Sequence, residues 1–162
     1  MTIKIFTTGG TFDKIYFDAN SEFHIGEPIA PALLEEANVA FDYEIESLLK
    51  KDSLDMDDVD RSRIRASVET DSSNKILIIH GTDSMIDSAR YLLDIPHKTI
   101  VLFGSMQPAR MRRSDAMYNL GVATAAVQLL PAGVYLAMNG QILDPRKARK
   151  NRRLGKFETT DT

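Results

Sequence analysis

"KILIIHGTDSMIDSARYLL", residues 75–93, begins as a short apolar run, ends that run at His80, and passes through Gly81 into Thr82, Asp83 and Ser84. It then takes helical spacing at Met85, Ala89 and Leu92. A run this short and continuously apolar suits a strand buried on both faces, and the 3.6-residue period that follows suits a helix lying across it. The same grammar recurs. "IKIF" (3–6), "KTIVLFGS" (98–105) and "GVYLAMNG" (133–140) are apolar runs that end near Gly, Ser or Asn. Helical spacing fills the gaps at Met56, Val59, Ile64 and Val68, and at Met117, Leu120, Ala123 or Thr124, and Val127. Strands alternating with helices predict an α/β domain with a mainly parallel central sheet in three layers.

"VAFDYEIES" (39–47) adds a half-buried strand, because Val39, Phe41, Tyr43 and Ile45 alternate with Ala40, Asp42, Glu44 and Glu46. Residues 12–37 hold Gly26, Pro28 and Pro31 without a sustained period. They read as a long excursion, and the part up to about Ile25 as a lid over a site. "RRLGKFETTDT" (152–162) reads as a tail.

At 162 residues the chain suits one domain, spanning 1–162. It has no cysteine, which excludes disulfides, thiolate metal sites and a cysteine nucleophile. His24, His80 and His97 are too dispersed to form a ligand motif, so no metal and no cofactor are expected. A net charge of −3 gives no general attraction to nucleic acid or an anionic membrane. Acidic residues cluster at 52–60 and basic ones at 146–156. Each reads first as a solvated face, and the basic run lacks the interleaved aromatics of an RNA-binding surface. No apolar segment reaches signal-peptide or membrane-spanning length, which leads to the expectation of a cytoplasmic protein.

The chemistry gathers where strands end. "TIKIFTTGGTFDKIYF" (2–17) breaks from an apolar run into Gly9, Gly10 and Thr11. Paired glycines give a tight turn, and they also let a ligand approach the backbone. A phosphate-cradling loop would need further glycines at fixed offsets or a Gly-Lys-Ser/Thr ending, and neither follows. If residues 2–6 and 76–80 are parallel strands of one sheet, Thr11 and Thr82 emerge from the same edge with Asp83 beside them. Asp83 or Ser84 as a helix N-cap is the ordinary alternative. Hydroxyls need a neighbour to take up their proton before they become nucleophiles. His80 is one candidate, although nothing pairs it with a nucleophile, and a lysine with a depressed pKa is another. "DPRKARKNRR" (144–153) supplies several cations, among which physical reasoning does not choose.

"TTGGTFDKIYFD" (7–18) and "HGTDSM" (80–85), followed in order by "FGSMQP" (103–108) and "ILDPRKARK" (142–150), resemble the signatures of the bacterial-type L-asparaginase/glutaminase family. The resemblance covers nearly the whole chain and corresponds to that family's N-terminal catalytic domain in a short form, without the C-terminal domain. It implies a single flavodoxin-like domain that converts L-asparagine to L-aspartate and ammonia. Thr11 would be the nucleophile and Tyr16 would close over it. Thr82 and Lys150 would form a proton relay, and Asp83 would hold the substrate's α-amino group. Ser53, in "DSLDM" (52–56), would bind the α-carboxylate, and Ser105 would line the same pocket. Gly9 and Gly10 would clear space for the amide and leave backbone N–H groups for the oxyanion. Two positions depart from the family's pattern: Leu54 replaces a polar residue that contacts substrate, and Ser105 replaces a small apolar one. The rival reading is a catalytically weak, amino-acid-binding relative, or one part of a larger amidase assembly. A homodimer or higher homo-oligomer is expected, with the apolar helix 115–130 either at its contact or sandwiched within the monomer.

Overall fold

A computed structural model describes residues 1–17 and 22–161. Five parallel strands form the centre of one sheet: β1 (Thr2–Gly9), β4 (Asp42–Lys51), β5 (Lys75–Ile79), β6 (Thr99–Phe103) and β7 (Gly133–Met138). A sixth, β8 (Gln141–Leu143), pairs antiparallel with β7. Their order across the sheet is β4-β1-β5-β6-β7-β8. The chain thus leaves β1 for one side to form β4 and returns to the other side to form β5. In an open α/β sheet, that reversal opens a crevice at the carboxyl ends of the two strands where ligands bind.

Two apolar layers cover the sheet. On one face Phe6, Ile76, Ile78 and Ile100 pack with Ile64 and Val68 of α2 (Asp58–Thr70) and with Met85 and Ala89 of α3 (Met85–Arg90). On the other, Ile3, Ile5, Leu77 and Val101 pack with Leu33 and Leu34 of α1 (Ala30–Glu36) and with Leu120, Ala123 and Val127 of α4 (Ala116–Leu129). The three-layer arrangement agrees with the sequence. Two helix faces differ in detail. Val59 is 76% exposed, because the N-terminus of α2 is fixed by a capping box in which the Asp57 and Asp60 carboxylates each accept the other's backbone N–H. Met117 is 39% exposed, and Ala116 takes the inward position of that turn.

The excursion after Thr11 is more ordered than its sequence suggests. It contains a hairpin of β2 (Lys14–Phe17) and β3 (Glu22–Ile25), then α1, whose Pro31 sits in the first turn where no N–H is missed. Residues 18–21, in the middle of the expected lid, lie outside the described residues. The expected tail is instead a ribbon of β9 (Ala148–Asn151) and β10 (Lys156–Thr159), anchored by Phe157, which is 1% exposed in the first core layer. Burying that ring contributes about 1.5–3 kcal/mol, which explains why a polar segment stays ordered. Among the described residues no helix is long and apolar enough to cross a membrane.

Candidate active site

The ends of β1, β4 and β5 interlock through bare glycines. Gly10 holds φ 78°, and a Cβ there would stand 2.6 Å from Gly81 Cα. A Cβ on Gly81 would in turn stand 2.7 Å from Ser53 Cβ. The absence of both side chains lets the backbone before Thr11 lie against the backbone before Thr82, and the latter against the Ser53 side chain, at the crevice. Thr8 Oγ1 donates to Ile79 O at 2.8 Å, and Gly10 N–H donates to Lys51 O at 2.9 Å, locking β1 to both neighbours. The second bond corrects one expectation: Gly10's N–H is already engaged and does not face an oxyanion. Among the described residues neither Thr11 N–H nor Thr82 N–H donates a hydrogen bond.

Ser53 lies in a single 3-10 turn whose N-cap, Asp52, accepts Leu54 N–H at 3.1 Å. Its hydroxyl oxygen accepts Ser84 N–H at 3.2 Å, and its carbonyl accepts the Ser84 hydroxyl at 2.6 Å. Ser84 is therefore a tie between β4 and β5 rather than a side-chain N-cap of α3. Among the described residues the Ser53 hydroxyl proton has no acceptor. Leu54 points outward and is largely exposed.

Lys150 arrives from β9, opposite Phe157 of β10. Its ammonium donates to Thr82 Oγ1 and to Asp83 Oδ1, both at 2.8 Å. The Lys150 bond is the main reason that Asp83 sits below the ordinary carboxylate pKa, with a further contribution from Arg152 at 3.3 Å. Of the cations in the basic run, Lys150 is the one that reaches Thr82. The ribbon is held by Phe157 N–H donating to Asn139 Oδ1 at 2.7 Å and by Gln141 Nε2 donating to Phe157 O at 2.9 Å.

His80 has a different part. Its Nδ1 lies 2.7 Å from Gly81 O, which can only accept, so Nδ1 carries the proton and Nε2 accepts the Ser88 hydroxyl at 2.7 Å. Burial pushes its pKa down to about 4. A neutral, doubly bonded imidazole braces the strand end and does not reach the crevice as a base. Ser105 is also buried, and its hydroxyl donates to Gln107 O at 2.6 Å. Tyr16 on β2 is 54% exposed, with its ring centroid 5.3 Å from that of Phe23 on β3.

Three parts of the site carried no signal in the sequence. Asp115 precedes α4 in the place of an N-cap, yet its carboxylate accepts Met106 N–H at 2.9 Å and Gln107 N–H at 3.0 Å, while Asn119 Nδ2 donates to Gly104 O at 2.9 Å. Together they set the loop after β6. Asp13, buried in the turn that begins at Thr11, accepts Ile29 N–H at 3.0 Å. Its carbonyl accepts Gly26 N–H at 2.8 Å and the Arg110 guanidinium at 2.9 Å. Burial raises its carboxyl to about 6. Finally, a cleft of about 370 Å³ opens beside Thr11, lined by Lys14, Phe23, Met106, Gln107, Pro108 and Met111. Among the described residues no group of three or more His, Asp or Glu could hold a metal ion.

Comparison with known proteins gives these features a context. The family model "Asparaginase, N-terminal" matches residues 2–159. A relative from Haemophilus influenzae named "Probable L-asparaginase periplasmic" is 31% identical over 91% of this chain and 46% of its own length. L-asparaginase I from Vibrio cholerae superposes with a TM-score of 0.84 at 25% identity, over 98% of this chain and 51% of that one. The thermostable L-asparaginase from Thermococcus kodakarensis shares the fold at a TM-score of 0.84 and 24% identity, over 100% of this chain and 52% of that one. This chain spans about half the length of the relatives it matches.

Proposed function

The chain belongs to the asparaginase family, and on that premise we propose that it hydrolyses the side-chain amide of L-asparagine to L-aspartate and ammonia with Thr11 as nucleophile. The observation that supports this most is the bifurcated ammonium of Lys150, 2.8 Å from both Thr82 Oγ1 and Asp83 Oδ1, at the crevice into which Thr11 emerges. An ammonium shared between a threonine hydroxyl and a carboxylate is the arrangement that a proton relay requires.

In this reading Ser53 donates its free hydroxyl proton to the α-carboxylate. Asp83 uses Oδ2 for the α-amino group, because Oδ1 is occupied by Lys150 and Arg152. Thr11 Oγ attacks the amide carbon, and the N–H groups of Thr11 and Thr82 stabilise the oxyanion, an effect of about 3–4 kcal/mol per donor. The C–N bond breaks, the proton lost by Thr11 leaves on ammonia, and water then hydrolyses the threonyl ester. For Lys150 to accept a proton it must first give one up, and Thr82, whose oxygen already accepts from Lys150, has its own proton free to pass on. Tyr16 covers the ester from the hairpin. Purified protein supplied with L-asparagine, L-glutamine or buffer alone is expected to release ammonia from asparagine; no release above buffer would reject the activity.

The same reading includes a two-fold homo-oligomer. Its support is an apolar groove along α4 formed by Val122, Ala125, Leu129 and Leu130 together with Ile142 of β8. Light scattering at catalytic concentration tests it, and a monomeric mass with full activity would refute it.

A further inference from the structure

The walls of the site differ on the two sides of Thr11. On the side of β4, β5 and β9 stand Ser53, Asp83, Lys150 and Arg152, which suit the charged head of an amino acid. On the side of the β2–β3 hairpin and the loop after β6 lies the cleft of about 370 Å³, and four of its residues, Phe23, Met106, Pro108 and Met111, are apolar. Phe23 is 48% exposed and Met111 44% exposed, so large apolar surface is left open next to a nucleophile. L-asparagine gives no reason for this. With its α-carboxylate and α-amino group on one side and its amide carbon at Thr11, it has nothing beyond the amide group itself to place in the cleft. The space there is about ten times the ~30 Å³ share of one water, far more than departing ammonia requires.

We infer that the cleft is a leaving-group subsite, and that the substrates include β-amides of aspartate whose nitrogen carries an alkyl or aromatic group. This rests on the amidohydrolase reading of the same residues. Phe23 offers half-exposed aromatic surface, and the thioethers of Met106 and Met111 are polarisable partners for an aromatic ring. Lys14, at the edge of the cleft, is held toward Asp52 at 3.4 Å and leaves the apolar wall uncovered. The chemistry is that of the simple amide. Thr11 Oγ forms an ester with the acyl carbon, the C–N bond breaks, and the nitrogen takes the proton released by Thr11 to leave as a primary amine. Water then cleaves the ester to aspartate and free Thr11.

The test uses two probes on the same preparation, L-asparagine and L-aspartate β-benzylamide, with ammonia and benzylamine as the readouts. Hydrolysis of the benzylamide with kcat/KM within about tenfold of that for asparagine is expected. Met111→Asp should lower the ratio of benzylamide to asparagine kcat/KM by about tenfold or more, the range over which apolar pockets discriminate, and Met111→Leu should preserve it. Phe23→Ser is a second variant with the same expected direction, should Met111→Asp fold poorly. Ammonia release without benzylamine release, or equal effects of the variants on both probes, would overturn the subsite and leave the asparaginase reading standing. Release of neither amine would overturn both. Benzylamine release without ammonia would support the subsite and move the preferred substrate to secondary amides.

Discussion

The proposed nucleophile, Thr11, and the lysine are held by different kinds of structure. Thr11, Ser53 and Thr82 stand at the ends of three adjacent strands that close on one another at Gly10 and Gly81, where added side chains would come within 2.7 Å of neighbouring atoms. They cannot separate without opening the sheet. Lys150 rides on a two-stranded ribbon outside that sheet, fixed by one buried ring and by bonds to Asn139 and Gln141. The site is thus an immobile half onto which a second half is docked. It should fail in two distinguishable ways.

The largest effect is expected on the immobile half. Thr11→Val removes the hydroxyl at nearly constant volume, and turnover of asparagine should fall by about 10³-fold or more while the unfolding midpoint is unchanged. A folded variant with full turnover would place the nucleophile elsewhere. On the docked half, Lys150→Met should cost about 10²–10³-fold in kcat, whereas Lys147→Met should be close to wild type. Equal, small effects in steady-state kinetics would reduce Lys150 to a surface cation.

Phe157→Ala sharpens the comparison, because it touches no substrate. It should destabilise the chain by about 3–5 kcal/mol by leaving a cavity under the ribbon, as read by denaturant titration. If docking rather than folding limits the site, Phe157→Leu should retain most of that stability and still lower kcat through misplacement of Lys150. Hydrogen exchange would then show faster exchange at residues 148–159 than at 75–80; equal protection of the two segments would erase the distinction between the halves.

The smallest effect concerns pH. Asp13 has a folded pKa near 6, above its unfolded value of 3.8, so its contribution to stability is fully present below about pH 4 and is lost as pH rises through 6. Asp13→Asn, which can still accept Ile29 N–H, should therefore raise stability at pH 7.5 by up to about 3 kcal/mol and give little gain at pH 4. His80 runs the other way. Its folded pKa of about 4 lies below the unfolded 6.5, so its contribution is present above pH 6.5 and is lost as pH falls through 4. Thermal melts of wild type and Asp13→Asn between pH 4 and 8 would check both signs.

The sheet and its order of elements were legible because β5, β6 and β7 are unbroken apolar runs punctuated by glycine, a signal that burial on both faces imposes on composition. The candidate residues Thr11, Ser53, Thr82, Asp83 and Lys150 were also nameable, through paired motifs rather than through periodicity. The ribbon was not, because four residues with one inward ring leave no period to detect, and α1 hid behind Pro28 and Pro31. Asp13 and Asp115 were invisible for another reason. Each occupies a position where a turn or cap is the ordinary explanation, and only the tertiary fold shows that its carboxylate accepts a backbone N–H from a distant or unexpected segment.

The sheet order also bears on how the chain is made. Residues 1–84 contain β1, β4 and β5, so the strand contacts beneath Thr11, Ser53 and Thr82 are synthesised before the ribbon that carries Lys150. Lys150 follows almost 70 residues later, an interval of roughly 3–14 s at ordinary elongation rates. On the proposed mechanism, a nascent chain that lacks it carries Thr11 without the relay and is expected to be silent. Chains released before residue 148 are expected to show no asparagine turnover at any concentration, and turnover by such a fragment would mean that the relay is complete without the ribbon.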